Sequence, residues 1–316
     1  MRIVIVGGLG FIGKNLISAL VSDNHTVVCC DVAQNISISN AEYHCISDVS
    51  DYENILEPDD CVIYLQWYGV PVSDAIIRSL NNNVIDTIRF LDICQRKKVS
   101  RFIFSSSGGT VYGVPCYTPI DEAHRLSPIS SYGIQKVAVE QYIRLLSKQS
   151  GLKSFILRIS NPYGPGQRCF SGQGVIATYL ASAITGKKFV IRGDGNDVRD
   201  YIYIDDLISA FKAVIDYKGG YDTFNVGSGV GHSLNELVFV MNEVLNECGY
   251  TQPELTHIPC DINDVPVNVL NCELIEKEMK NISATDIKTG LLKTLRSWDS
   301  TKEAFLCDFD LKLSVK

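Results

Sequence analysis

Arg2-Ile3-Val4-Ile5-Val6 runs without a break into Gly7-Gly8-Leu9-Gly10-Phe11-Ile12-Gly13, and this join limits the fold more than any other part of the chain. A short β-branched run with no polar alternation is the pattern of a strand buried on both faces of a parallel sheet. Gly7, Gly10 and Gly13 are spaced G-x-x-G-x-x-G, and a helical pattern through Asn15-Leu16-Ile17-Ser18-Ala19-Leu20 follows at once. Strand, glycine turn and helix together form a variant of the dinucleotide-binding fingerprint: a tight turn, backbone close enough to meet a pyrophosphate, and a helix packed hard on the strand. The helix start offers unpaired N–H groups and a positive dipole end to the phosphates. A glycine trio alone equally suits an ordinary strand–turn–helix. Here a second strand-like run, His25-Thr26-Val27-Val28-Cys29-Cys30, ends in Asp31, eighteen residues beyond Gly13. A carboxylate there accepts hydrogen bonds from an adenosine ribose and repels a 2′-phosphate, so NAD is expected rather than NADP.

The second informative stretch is Ser105-Ser106-Ser107-Gly108-Gly109-Thr110-Val111-Tyr112-Gly113, followed by Tyr132-Gly133-Ile134-Gln135-Lys136. Tyr132 and Lys136 are four apart and so share a helix face. A tyrosine hydroxyl titrates near pH 10 and is a poor base at neutral pH. An ammonium one turn away, with an oxidised nicotinamide ring, favours phenolate and is expected to lower that value. A Tyr/Lys pair at this spacing also suits a plain solvated helix face, and it gains meaning from the N-terminal pattern.

Size and composition set outer bounds. A chain of 316 residues with 46% hydrophobic content supports two domains, or one with an elaborated lobe. No run of eighteen apolar residues suggests a membrane span. A net charge of −7 and a pI near 5.3 argue against a general nucleic-acid binder. The 11 cysteines form no C-x-x-C pair, and Cys29, Cys30 and Cys61 lie in apolar runs, which reads as reduced thiols of a cytoplasmic protein. Five scattered histidines give no metal spacing, so no metal is expected. Arg2 before an apolar run imitates a secretory signal, but the glycines interrupt it and Lys14 and Asn15 follow.

Strand-like and helix-like segments alternate through the first half. Tyr43-His44-Cys45-Ile46, Cys61-Val62-Ile63-Tyr64-Leu65, Arg101-Phe102-Ile103-Phe104 and Ser154-Phe155-Ile156-Leu157-Arg158 read as strands. A helix is expected to open at Asn82-Asn83-Val84 and run to about Lys97, and another to run from Tyr132 to about Ser150. The fold class is therefore α/β, a Rossmann-type doubly wound parallel sheet with ligands at the carboxyl ends of its strands. The turn-rich Asn161-Pro162-Tyr163-Gly164-Pro165-Gly166 marks a crossing into a smaller C-terminal α/β lobe. The expected division is 1–165 for the cofactor domain, rejoined by about 200–228, with 166–199 and 229–316 forming the substrate lobe. Asp205 and Asp206 read as a cap for the helix through Leu207-Ile208.

Several of these segments, in this order, name a family: GGLGFIG, SSSGGTVYG, SPISSYGIQK, NPYGPGQ, GDGNDVRDYIYIDDL and FNVGSG. From Met1 to about Trp298 the chain resembles the extended short-chain dehydrogenase/reductases that modify nucleotide sugars, and most of all the UDP-hexose 4-epimerases. The resemblance implies NAD as cofactor, held by Gly7, Gly10, Phe11, Ile12, Gly13, Asp31, Asp48, Val49, Leu65, Asn83, Tyr132 and Lys136. Tyr132 would be the general base and acid, and Lys136 would hold the ribose hydroxyls and lower the tyrosine's pKa. Ser107 would share the sugar hydroxyl's proton, with Thr110 as the fallback. The hydroxyl position three residues before the valine of V-Y-G is Gly108 in this chain, which suggests a longer loop. Asn83 would brace the loop, Asn161 would touch phosphates or sugar, Arg199 would clamp the diphosphate, and Val175 and Asp264 would line the substrate. Arg199 could instead be paired with Asp200 or Asp194. Relatives of this kind dimerise through two helices per subunit, here 83–97 and 132–149.

Two departures bear on the substrate. Tyr64-Leu65-Gln66-Trp67 stands where the family often has His-Leu-Ala-Ala, so Gln66 and Trp67 should crowd the wall beside the cofactor. Asp261 stands where an arginine often precedes Asp-Val-Pro, here Asp264-Val265-Pro266, and an acid beside a diphosphate is unfavourable. The leading expectation is an NAD-dependent nucleotide-sugar 4-epimerase, acting on UDP-glucose/galactose or their N-acetyl forms by transient oxidation at C4 and re-reduction on the opposite face. A surface-polysaccharide or O-antigen setting would suit it. The alternative is a nucleotide-activated 4-keto-6-deoxysugar reductase consuming NAD(P)H. A 4,6-dehydratase would need Asp-Glu where Gly109-Thr110 stands, and a non-catalytic NAD-sensing protein would not need Tyr132 and Lys136.

Overall fold

The computed structural model describes residues 1–34, 36–69, 76–259, 265–280 and 282–299. Its centre is a parallel sheet built from β1 (Arg2–Val6), β2 (Thr26–Asp31), β3 (Glu42–Cys45), β4 (Cys61–Tyr64), β5 (Arg101–Ser107), β6 (Lys153–Ile159) and β10 (Thr223–Val226). Their order is β10-β6-β5-β4-β1-β2-β3, and each neighbouring pair is parallel. The order reverses between β1 and β4, which is where a doubly wound sheet opens a crevice at its carboxyl edge.

Burial on both faces explains the unbroken apolar runs. Ile3 and Ile5 face one core with Leu16 and Leu20 of α1 (Phe11–Ser22), whereas Val4 and Val6 face a second core. That second core includes Phe90 of α3 (Asp86–Arg96) and Val139 and Ile143 of α4 (Ser131–Ser150). Side chains alternate across a strand, so both sides must be apolar when helices cover both. α4 starts where Ser130 accepts a hydrogen bond from the Gly133 amide and stops at Gly151 in the left-handed conformation.

The helix before α3 begins earlier than expected. α2 (Ile76–Leu80) leads through a wide π turn at Asn81–Ile85 into α3. Asn83 does not cap a helix; it lies inside that turn, where its carbonyl accepts from the Thr87 hydroxyl.

The remainder forms smaller layers. β7 (Asn161–Tyr163) pairs with β9 (Val198–Tyr203), which also pairs with β11 (Gly231–Ser233) and β13 (Val267–Asn268). β8 (Phe189–Arg192) pairs with β12 (Leu255–Ile258). Around them pack α5 (Val175–Thr185), α7 (Leu234–Glu247), α8 (Glu273–Glu278) and α9 (Ile287–Asp299). α6 (Ile204–Asp216) instead packs on α1, against the main sheet. Asp205 and Asp206 sit in the first turn of α6 without capping it, and Asp206 accepts from the backbone and hydroxyl of Thr285. No helix among the described residues is long and apolar enough to cross a membrane.

Candidate active site

A cleft of about 2680 Å³ runs along the carboxyl edge of β1 and β4 and continues beneath β7, β8 and β9. At one end lies the glycine turn. Gly7 has φ +81°, and a Cβ there would come within 2.8 Å of the Gln66 amide nitrogen, while one at Gly13 would meet the Gly8 carbonyl at 2.5 Å. Only bare backbone fits between the two strand ends, which is the approach a pyrophosphate requires. Asp31 closes that end. Its carboxylate accepts from the Leu9 amide at 2.9 Å and the Val32 amide at 2.8 Å, so it is fixed at the tip of β2. Asp48 heads a 3₁₀ turn and accepts from the amide and hydroxyl of Ser50, which holds its carboxyl below the usual carboxylate range. Phe11, Ile12, Val49 and Leu65 line the same stretch.

Further along, Ser107, Thr110 and Tyr132 open onto the cleft together. Gly108 does not: a Cβ there would strike Leu270 at 2.6 Å, so position 108 faces the smaller lobe. Ser105, Ser106, Ser107 and Thr110 line the cleft around it, with the Ser106 hydroxyl committed to Glu140. Lys136 is buried behind Tyr132, donating to the Ser105 carbonyl at 2.6 Å. Burial pushes the Tyr132 hydroxyl up to about 12 and holds Lys136 well below the usual lysine range. The same apolar wall penalises both charged forms. Glu140, the next residue on this face, is the one group whose charge opposes the lysine's loss of its proton.

Trp67 supplies much of that wall. Its ring lies over the Lys136 ammonium, and it meets Tyr132 edge-on. Asn83 does not reach the cleft. Its amide is committed to the Tyr68 backbone in both directions, at 2.7 and 2.9 Å, and to Gln135 at 2.9 Å, so it fixes the loop that carries Trp67.

On the substrate side, Asn161 donates to the Asp200 carbonyl at 2.8 Å, and Val175 begins α5. Arg199 reaches the cleft, donates to its own neighbour's carbonyl at Val198, and lies 3.7 Å from Asp197. The Asp200 carboxylate is spent on the Ser228 and Gly229 amides and the Ser228 hydroxyl. Asp261 and Asp264 lie outside the described residues.

Buried polar atoms with no protein partner gather in this cleft: Tyr52 Oη, Trp67 Nε1, Thr110 Oγ1, Ser160 Oγ and Gln167 Oε1. Buried polar groups are nearly always hydrogen-bonded, so a concentration of orphans marks where a polar ligand completes the set. Ser160 and Gln167 escaped sequence reasoning, although Ser160 directly follows the end of β6, where ligand contacts concentrate in such sheets. Glu140 was readable as the third member of a Tyr-x-x-x-Lys-x-x-x-Glu column. The bare glycine turn, the fixed Asp31 and the orphaned donors and acceptors fit a dinucleotide.

Comparison with known proteins agrees with this geometry. Residues 3–227 match the NAD dependent epimerase/dehydratase family. A dTDP-4-dehydro-6-deoxyglucose reductase of Escherichia coli is 34% identical over 83% of this chain and 89% of its own. A UDP-glucose 4-epimerase of Mycolicibacterium smegmatis is 31% identical over 75% of this chain and 80% of its own. The crystal structure of UDP-glucose 4-epimerase from Thermotoga maritima with UDP-glucose superposes with a TM-score of 0.85 at 29% identity, covering 96% of this chain and 100% of that one. The chain belongs to the NAD dependent epimerase/dehydratase family and is an NAD-dependent enzyme of the epimerase type.

Proposed function

We propose that this protein is a nucleotide-sugar 4-epimerase. The observation that carries the reading is a single cleft that holds the glycine turn and Asp31 at one end and Ser107, Tyr132 and Arg199 further along it. Tyr132 takes the proton of the C4 hydroxyl and returns it, and Ser107 hydrogen-bonds the same oxygen, with Thr110 as the neighbouring hydroxyl. Gly7, Gly10, Gly13 and Asp31 would hold NAD, which would supply a reversible hydride acceptor for the C4 position. Lys136 stands behind Tyr132, one helical turn along α4, and backs its position from the Ser105 carbonyl. Arg199 and Asn161 hold the diphosphate end, so binding energy is placed on the nucleotide while the sugar stays free to turn. We assign the substrates as UDP-hexoses, and the assembly as a homodimer joined through α3 and α4.

A second reading is a nucleotide-activated 4-keto-6-deoxysugar reductase, favoured by the bulk of Trp67 beside Tyr132 and by the E. coli relative. Incubating the purified protein with UDP-glucose, UDP-galactose and their N-acetyl forms without added cofactor, and analysing products by NMR, separates the two. Interconversion at C4 supports the epimerase. Failure on all four, with NAD(P)H consumed on a dTDP-4-keto-6-deoxyhexose, replaces it with the reductase.

A further inference from the structure

The Lys136 ammonium is enclosed. It donates to the Ser105 carbonyl at 2.6 Å, and lies 3.6 Å from the centre of the Trp67 ring and 4.7 Å from that of Phe104. Only 3% of the residue is exposed. The same indole meets the Tyr132 ring at 5.8 Å with the planes at 66°, so one side chain touches both members of the pair. Its backbone is held by the Asn83 clamp on Tyr68, and Phe104 braces its far side at 5.9 Å.

We propose that Trp67 is the positioning residue of the Tyr132–Lys136 pair: its indole face takes the place of water around the ammonium and keeps it between Ser105 and Tyr132. The inference rests on the reading of Tyr132 as the group that exchanges a proton with the sugar. An ammonium over an indole face is attracted by the ring quadrupole, and the ring simultaneously excludes solvent. The charged and titratable groups around the pair are few. α4 contributes Glu140, β6 contributes Arg158 bonded to Glu140, and β4 contributes Tyr64, whose hydroxyl is bonded to Thr87 and pushed up to about 12 by burial. From β5 the pair meets the Ser105 carbonyl and Phe104. Trp67 is thus one of the walls whose burial of the pair holds Tyr132 up and Lys136 down.

Two measurements test this, and the first needs no turnover. The chain has two tryptophans, so Trp298→Phe leaves Trp67 as the sole indole emitter. Its emission, titrated from about pH 6 to 11, should show a transition with a midpoint below the ordinary lysine value of about 10.4. Lys136→Met should abolish that transition. An emission curve unchanged by Lys136→Met overturns the proposal, whatever the protein does to sugars. The second is the pH profile of turnover. Trp67→Ala readmits water to both groups, so Tyr132 falls, Lys136 rises, and the two limbs of the bell should move toward each other. kcat should drop about tenfold or more with KM within about twofold, and Trp67→Phe should recover the wild-type profile. A Trp67→Ala profile that overlays the wild type, with only KM raised, overturns it. Absence of any turnover in the wild type removes the functional reading and leaves the emission titration to decide the placement of Trp67.

Discussion

Glu140 and Arg158 form a buried ion pair, Oε2 to Nη2 2.7 Å, with side chains 0% and 2% exposed. Arg158 sits in register beside Ser106 on the neighbouring strand, and the Ser106 hydroxyl donates to the same carboxylate at 2.6 Å. Arg158 also donates to Tyr112 Oη at 3.0 Å and the Glu122 carbonyl at 3.2 Å. One carboxylate thus joins α4, one turn past Lys136, to the strand that ends in Ser107. α4 and the hydroxyl-bearing strand end cannot shift independently.

Breaking that pair from one side leaves a buried charge without a partner. Glu140→Ala should cost roughly 3–5 kcal/mol in urea unfolding, because the loss includes the stranded guanidinium. Glu140→Met combined with Arg158→Met should cost less than half as much. If the double variant is as damaged as the single, the cost lies in packing and not in charge.

Asp31 is held by two backbone amides and faces the cleft, so its carboxylate is preorganised for a ribose. Asp31→Ser should weaken NAD binding about tenfold, the scale of a lost charge-assisted hydrogen bond. It should also narrow the preference over NADP, since repulsion of a 2′-phosphate disappears. Calorimetry of the cofactor-stripped protein with each dinucleotide checks both effects. An unchanged NAD affinity would remove Asp31 from the site.

The sheet was legible because its strands are buried on both faces, so Ile3 to Val6 and Cys61 to Tyr64 carry a signal that survives without long-range information. Asp31 was legible for a related reason: it ends a strand next to a glycine turn, and topology alone places it. The behaviour of Tyr132 was not. Its ionisation depends on burial, to which Trp67 contributes from 65 residues away in sequence, and Phe104 in turn packs on Trp67. The start of the helix before α3 was missed: α2 runs from Ile76 to Leu80 and joins α3 through the π turn at Asn81–Ile85, so Asn83 lies inside a helical run where local pattern reads a helix start. Ser160 and Gln167 carry no motif of their own; they stand out only as buried groups without partners.

The outer faces of α2, the π turn and α4 keep unusual apolar exposure, with Ile77 72%, Ile134 56% and Leu145 51% exposed. Exposed apolar side chains on α4 would suit the proposed homodimer contact. Ile134→Arg and Leu145→Arg should each convert a dimer to a monomer in light scattering behind gel filtration, with far-UV circular dichroism unchanged. A wild-type protein that runs as a monomer at micromolar concentration removes this surface from the proposal.

The opposed shifts of Lys136 and Tyr132 make stability depend on pH in two separate windows. Lys136 is lowered in the fold, so between its folded value and about 10.4 the unfolded chain binds the extra proton. Stability should therefore rise with pH across that window, and the penalty is fully present below it. Tyr132 is raised to about 12, so above the ordinary tyrosine value near 10 the unfolded chain loses its proton first. A folded group held above its unfolded value contributes stability that is present below the unfolded pKa and lost as pH climbs through the folded one. Lys136→Met should flatten the rise, leaving a protein more stable than wild type at pH 7 yet slower by roughly 10²–10⁴, the usual yield of positioned acid–base catalysis. Tyr132→Phe should flatten the fall above pH 10 with a similar loss of rate. Urea unfolding of the three proteins from about pH 7 to 11 checks the signs. A Lys136→Met protein less stable than wild type at pH 7 would mean that the Ser105 hydrogen bond and the Trp67 contact outweigh the burial of the charge.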